Sequence, residues 1–418
     1  ELKIIGKKED SNYISINYFR DSVLEELKTI TEVPASTIET GGLKIYTTLD
    51  ATAQKSLEDS VYSYINDDTK IETAAIMMDP NTGEVLALIG GNNYSKSQFN
   101  RATKAKRQVG STMKPLLYYS ALESGFTSSS SFTSEKTTFT FSGGKSYSPK
   151  NYNDRYAEGP LSMEAAIAYS DNIYAVKTHL FLGENNLINT AKRLGITSNL
   201  SEVPSLALGT SEISLIEMTS AYSCFASLGY KTTPHFIKKI EDSKGNILYE
   251  NKEEKELLLN PSLTYILNEM LTSTYNKNFI NYNYPTLISL LPQITHKYAI
   301  KSGTTDTDLL IMGYNKNVVL GVWNGYDNNT KIDSSEYSHH KNIWIDTMES
   351  YFKQKEASWY EIPNNVVGVL TEPITGALAT DETQNKEMFF YLKGTEPSAE
   401  SNYKDLEAVF QEENNSNT

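Results

Sequence analysis

The chain has 418 residues, 39% apolar and 22% charged, with a net charge of −14. That much apolar residue supports a sizeable core and excludes wholesale disorder, while the acidic balance, with no Lys/Arg cluster interleaved with aromatics, excludes a non-specific nucleic-acid binder. The single cysteine, Cys224 in an apolar run, rules out an internal disulfide framework and argues against a cysteine metal site, and no apolar stretch approaches the ~18 residues of a membrane span.

Residues 1–40 are mixed and charged. DSVLEELKTITEV (21–33) has helical spacing, and the segment is expected to be a linker from something upstream, since the chain opens on Glu1. GLKIYTTLD (42–50) alternates like a strand, and ATAQKSLEDSVYSYIND (51–67) has the spacing of an amphipathic helix. TAAIMMDPNTGEVLALIGG (73–91) is a hairpin pattern around the turn Asp79-Pro80-Asn81-Thr82-Gly83. In VGSTMKPLLYYSAL (109–122), Pro115 marks the start of an apolar helix. Residues 127–156, rich in Ser, Thr, Gly and Tyr, are expected as an exposed loop region. Helices are expected over 161–193, 213–228 and 262–275. KYAIKSGTT (297–305) has the pattern of a strand, and LLIMGYNKNVVLGVWNGY (309–326) that of a hairpin turning at Asn315-Lys316-Asn317. The tail QEENNSNT is polar and expected to be disordered. Strands early, helices in the middle and strands late predict an α+β fold: an antiparallel β-sheet built from both ends of a domain and flanked by helices.

The chemistry begins at Ser111 and Lys114. With Pro115 next and Gly110 before, Ser111 falls at the N-terminus of a buried-looking helix, where unpaired backbone N–H groups and the positive end of the dipole lie. Lys114 stands one turn along, on the same face. Such a serine can be deprotonated by the amine and its oxyanion held by backbone N–H groups. The S-x-x-K pattern recurs at Ser142, Ser338, Ser350 and Ser401, where an ordinary surface serine is the better reading. None of the histidines (His179, His235, His296, His339, His340) sits in a serine-elbow context, and His339-His340 read as surface. Downstream come Ser170-Asp171-Asn172 and Lys301-Ser302-Gly303. A lysine base must lose its charge, which burial and a second cation favour, and Lys301 is the candidate second cation. Ser170 can relay a proton to a leaving amine, and Asn172 can hold Lys114 and a substrate amide. Gly303 lets a substrate backbone approach the strand edge. The hydroxyls of Ser302 and Thr304 suit a terminal carboxylate, with Thr305 alongside in the same substrate-binding strand end.

S-x-x-K, S-D-N and K-T-G, in that order, are the joint signature of penicillin-binding proteins and class A β-lactamases. The chain resembles the transpeptidase region of class A penicillin-binding proteins from GGLKIYTTLD (41–50) to FFYLKGTEP (389–397). FNRATKAKRQVGSTMKP, PKNYNDRYAEGPLSMEAAIAYSDN, LALGTSEISLIEMTSAYSCFASLG and GVWNGYDN carry the likeness between those ends. The resemblance implies a serine D,D-transpeptidase at the extracytoplasmic face of a bacterial cell membrane. Ser111 is then the acylated nucleophile, with Lys114, Ser170, Asn172 and Lys301 as the other catalytic residues. The N–H groups of Ser111 and Thr304 form the oxyanion hole. The substrates are peptidoglycan stem peptides ending in D-Ala-D-Ala, and β-lactams acylate the same serine. No metal or cofactor is implied, and no nucleic-acid partner. It also implies the domains: 1–40 a linker from an upstream glycosyltransferase module with its membrane anchor, 41–395 the transpeptidase domain, and 396–418 a polar tail. K-S-G in place of K-T-G keeps the hydroxyl and drops a methyl, so altered β-lactam preference is the most expected of it. A D,D-carboxypeptidase, a β-lactamase or a β-lactam sensor share these motifs. Glu256 to Asn260 (E-x-x-L-N) is rejected as a deacylating glutamate, because it lies far beyond Asn172 and runs into a helix start. Trp323 and Tyr326 are read as sheet packing; Asn151-Tyr152-Asn153 is read equally as groove lining or as a structural turn.

Overall fold

The chain folds around two apolar hairpins that close on each other. The structure is a computed structural model and describes residues 15–33, 35–65, 69–398 and 406–407. Its main helices are α1 (Ile16–Leu27), α2 (Ala51–Tyr64), α3 (Lys114–Glu123), α4 (Met163–Tyr169), α5 (Asn172–Leu182), α6 (Leu215–Ala226), α7 (Pro261–Leu271) and α8 (His339–Phe352). The strands used below are β1 (Glu72–Met78), β2 (Val85–Ile89), β3 (Ala299–Thr304), β4 (Asp308–Tyr314), β5 (Val319–Gly325), β6 (Val366–Thr371) and β7 (Glu387–Leu392). β1 to β5 form one five-stranded sheet in the order β3-β4-β5-β1-β2. Every pairing is antiparallel, and the early hairpin joins the late one from Val319 opposite Met78 to Gly325 opposite Glu72. The α+β expectation therefore holds, sheet built from both ends included.

β4 and β5 are buried along their whole length, which is why they read as continuous apolar runs rather than alternating ones. Alternation reappears in what each residue touches. Ala74, Ile76 and Met78 belong to the core shared with α3, α6 and α7, whereas Ala75 and Met77 belong to the core under α2 and α8. Asp79 accepts the Asn81 N–H at 2.7 Å and so closes the first hairpin turn. Cys224 is buried in α6, and burial pushes its thiol up to about 12. Among the described residues no helix is long and apolar enough to cross a membrane.

Several segments depart from expectation. The region expected as a linker supplies α1, which buries Tyr18, Phe19, Val23 and Leu27. The strand expected over 42–50 forms at Lys44–Thr47, but in a separate three-stranded sheet with Ile237–Glu241 and Ile247–Glu250. The helix expected over 161–193 is three, α4, α5 and Glu184–Arg193, broken at Ser170 (φ 55°) and Gly183 (φ 82°). In the loop region 127–156, Ser131–Ser134 pairs with Gly159–Ser162. Ser128 and Ser129 are buried because their hydroxyls donate to Phe390 O (3.0 Å) and Gly376 O (2.6 Å). His340 is a correction: it is fully buried in α8, and among the described residues neither ring nitrogen has a hydrogen-bond partner. Burial holds it well below the usual imidazole range, so it is neutral. The disorder expected of 411–418, like residues 1–14, lies outside the described residues.

Candidate active site

Ser111 is the second residue of a 3₁₀ turn, Gly110–Met113, that runs into α3 with Pro115 in its first turn. The Lys114 N–H donates to Ser111 O, so the two residues are locked one turn apart, as the spacing predicts. Ser111 is half-buried, while Lys114 is fully buried. The turn is wedged between two backbones. Gly110 (φ 55°) donates to Gly209 O at 3.1 Å, and a Cβ on Gly209 would stand 1.9 Å from Gly110 O. From beneath, the Tyr222 hydroxyl donates to Thr112 O at 2.7 Å.

The break between α4 and α5 delivers the next groups. Ser170 sits in the left-handed region (φ 55°, ψ 44°), which is uncommon for a residue with a Cβ and needs outside support. Asp171 supplies part of it. Its carboxylate accepts the Tyr174 N–H (2.8 Å) and bonds from Asn151 Nδ2 (2.6 Å) and Ser134 Oγ (2.5 Å). Asn151 Oδ1 in turn accepts the Asn172 N–H at 2.7 Å. Asn151 is therefore a structural clamp, and Tyr152 beside it is 74% exposed at the rim.

Lys114 Nζ reaches four oxygens of this break: Ser170 O (2.7 Å), Asn172 Oδ1 (2.7 Å), Ser170 Oγ (3.2 Å) and Asp171 O (3.2 Å). Lys301 Nζ donates to Ser170 Oγ at 3.0 Å and to Ser302 O at 2.7 Å. One hydroxyl thus bridges two amines. Burial lowers Lys114 to about 7, against a smaller upward pull from Asp171. Lys301 is also held well below the usual lysine range, by burial first, then by Lys114 and Lys341. Lys341, on α8, is itself lowered by burial and donates to Thr286 O at 3.2 Å.

The sheet edge completes the pocket. β3 is an edge strand. The Thr305 N–H donates to Asp308 O at 2.9 Å, which sets the phase of the ladder. Residues 301, 303 and 305 turn their amides to β4, and residues 300, 302 and 304 turn theirs outward. Ile300 O and Ser302 O agree with that phase, since they accept from Thr274 Oγ1 and Lys301 Nζ. The Thr304 N–H therefore points off the edge, toward the Ser111 turn. The approach is close: a Cβ on Gly303 would stand 2.4 Å from Val109 O and 3.1 Å from Ser111 N. Side-chain alternation puts Lys301 and Gly303 on the face toward that turn, and Ser302 and Thr304 on the other. Thr305 Oγ1 accepts from the amides of Thr307 (3.2 Å) and Asp308 (2.9 Å), so this hydroxyl shapes the turn.

Comparison with known proteins decides the family at this point. The profile of the penicillin binding protein transpeptidase domain matches residues 73–333. The chain belongs to the penicillin-binding protein transpeptidase family. A relative is penicillin-binding protein 2D of Bacillus subtilis (strain 168), 42% identical over 383 residues, which are 91% of this chain and 55% of that protein. Another is penicillin-binding protein 1A of Aquifex aeolicus (strain VF5), 36% identical over 78% of this chain and 44% of that protein. The chain thus spans about half the length of the curated relatives it matches. The fold is that of penicillin-binding protein 1A from Haemophilus influenzae, with a TM-score of 0.79 at 21% identity over 91% of this chain and 76% of that one. It is also that of the PonA1 protein from Mycobacterium tuberculosis in complex with penicillin V, with a TM-score of 0.70 at 23% identity over 84% and 96%.

Of the residues expected from sequence, Lys114, Ser170, Asn172 and Lys301 meet through hydrogen bonds, and the backbone of Gly303 and Thr304 lies against the Ser111 turn. The Ser302 and Thr304 side chains lie on the other face of β3, and the Thr305 hydroxyl shapes a turn. Sequence reasoning missed Asp171 as the clamp of the α4–α5 break, although it stands between two residues that were singled out. It also missed Lys341, for which no local pattern exists, and the Gly110–Gly209 contact, which joins positions far apart in the chain. Glu256 lies exposed in a two-residue strand opposite Lys231, and Asn260 caps α7.

Proposed function

We propose that the chain is the cross-linking module of a class A penicillin-binding protein, a serine D,D-transpeptidase acting on peptidoglycan stem peptides that end in D-Ala-D-Ala. The observation that carries this reading is the Ser170 hydroxyl held between two buried amines of lowered pKa, one of which, Lys114, stands one turn along from the half-buried Ser111. In this reaction Ser111 Oγ attacks the penultimate carbonyl carbon and its proton passes to neutral Lys114 Nζ. The oxyanion accepts from the N–H groups of Ser111 and Thr304. When the C–N bond breaks, the leaving D-alanine amine takes a proton by way of Ser170 Oγ, and an ester to Ser111 remains. An amine of a second stem then attacks that ester, loses its proton along the same path, and releases Ser111 with a new peptide bond. The terminal carboxylate of the donor lies along β3 near Lys301, Ser302 and Thr304. Charge from that carboxylate draws a proton onto Lys301, and the neighbouring cation keeps Lys114 neutral. β-Lactams acylate Ser111 by the same attack.

On the same reading, residues 1–40 lead from an upstream glycosyltransferase module with its anchor into the transpeptidase domain of residues 41–395, with α1 packed onto that domain, and residues 396–418 are a polar tail. The protein works at the extracytoplasmic face of a bacterial membrane. The test is intact-mass spectrometry after benzylpenicillin, followed by peptide mapping. One adduct at Ser111, absent in a folded Ser111→Ala variant, is the expected result; an adduct that persists in that variant rejects the assignment.

A further inference from the structure

A second pocket, of about 710 Å³, lies between α7, the segment leading into β3, and β7. Three carboxylates face it, Glu164, Glu269 and Glu387. Two are partnered: Glu269 with Lys297 Nζ and Trp359 Nε1 (2.7 Å), Glu387 with Asn276 Nδ2 (2.9 Å) and Asn278 Nδ2 (2.7 Å). Glu164 is different. It is only 5% exposed, and among the described residues it is acted on by burial and by the charges of Glu387, Glu269 and Lys297 with no hydrogen bond to its carboxyl. It has no capping duty either, because Ser162 caps α4 by accepting the Ala165 N–H at 3.1 Å. A largely buried carboxyl with no hydrogen-bond partner in the chain is costly, so the position makes sense if something outside the chain supplies the partner.

We infer that this pocket binds a small organic cation, its guanidinium or ammonium head against Glu164 and its aliphatic body against Leu291 and Ile294. The lining supports both halves: acid on one wall, apolar side chains on another. The apolar wall of Leu291, Ile294, Met388 and Phe390 offers no ligand to a hydrated metal ion and suits a cation with a hydrocarbon body. The titratable groups that face Glu164 or line the pocket are Glu269 on α7, Glu387 and Tyr391 on β7, and Tyr275, Lys277, His296 and Lys297 on the connecting segments. Burial, then Glu387 and Glu269, hold the Glu164 carboxyl well above the usual carboxylate range, against a weaker pull from Lys297. A carboxyl raised in this way sets a bound cation in competition with a proton on Glu164, so affinity rises with pH.

The experiment is calorimetric titration of the whole chain with n-pentylguanidinium and with its neutral isostere n-pentylurea. It is run at about pH 8 and about pH 5.5, on free and benzylpenicillin-acylated protein. The guanidinium is expected to bind one to one, more tightly at the higher pH and on both forms of the protein, with the urea about tenfold or more weaker, as loss of a charged hydrogen bond implies. Glu164→Gln, which should still take up benzylpenicillin, is expected to lose the same factor. Equal binding of urea and guanidinium, no binding, unchanged affinity in folded Glu164→Gln, or binding abolished by acylation of Ser111 would each overturn the inference. If Glu164→Gln does not fold, the isostere and pH comparisons on the unaltered chain decide it.

Discussion

The Ser170 oxygen lies 3.0 Å from Lys301 Nζ and 3.2 Å from Lys114 Nζ, and that sharing sets the acid–base behaviour of the pocket. Burial disfavours charge on both amines, and Lys114 adds to the lowering of Lys301, so the pair gives up a proton well below the ordinary lysine range. Lys114 must be neutral to take the Ser111 proton, and its value of about 7 puts the change near neutrality. Acylation by a fluorescent penicillin should therefore rise from about pH 6 to about pH 8, and Lys301→Ala should slow it at every pH by removing the amine that meets the penicillin carboxylate. Stopped-flow rates across that range check both, and a flat profile counts against Lys114 as base. Gly303 gives a sharper test of geometry. A methyl there meets Val109 O at 2.4 Å and Ser111 N at 3.1 Å, prising the strand edge from the serine turn. Gly303→Ala should slow acylation by about 10²-fold or more, the usual loss when an oxyanion donor is misplaced, while the circular dichroism spectrum stays the same. An unchanged acylation rate would remove Thr304 N–H from the oxyanion hole.

At the scale of elements, the site is made of interruptions: a 3₁₀ turn ahead of α3, a left-handed residue between α4 and α5, and an unpaired strand edge. The uninterrupted parts were legible. The β1–β2 and β4–β5 hairpins and the start of α3 follow from apolar runs punctuated by Asp79 to Gly83, by Asn315 to Asn317 and by Pro115. The interruptions were not. Ser170 carries no glycine or proline signal, and it is kept left-handed by Asp171, Asn151 and Ser134, which the fold brings from elsewhere. The burial of Ser128 to Ser131 hid in the same way, because serine reads as loop until its hydroxyl partners on β7 and near Gly376 are known. Gly110 and Gly209 are the extreme case, two loops meeting backbone to backbone. Gly209→Ala forces a Cβ to 1.9 Å from Gly110 O and should cost about 2–4 kcal/mol. Gly245→Ala shares the positive φ (87°) but opens onto free space, so about 1–2 kcal/mol is expected. Urea denaturation of the two variants separates the contact from the backbone strain; equal losses would mean that the Gly110 contact does not matter.

Over the whole molecule, the sheet is sealed on both faces, and the segment before residue 41 takes part in the sealing. α1 lays Phe19 edge-on to Phe236, with ring centroids 5.2 Å apart, and sends Tyr18 OH to Ser97 O at 2.6 Å. Glu26 at its far end accepts the amides of Phe236 (2.6 Å) and Ile237 (3.2 Å), at the head of a strand in the small sheet. One helix therefore ties the main sheet to the small one, and residues 406 and 407 are tied as well, with Leu406 N on Ser131 O at 2.9 Å and Glu407 on Lys177 at 2.7 Å. A helix so embedded should unfold with the rest. Phe19 is 2% exposed, so Phe19→Ala leaves a cavity in the shared core and should cost about 3–5 kcal/mol of global stability. Denaturation followed by tryptophan fluorescence should then show one transition moved to lower denaturant, because Trp323, Trp344 and Trp359 all lie far along the chain from α1. A fluorescence midpoint that does not move, beside a separate early loss of helical circular dichroism, would make α1 an independent attachment and return residues 15–33 to the role of a connector.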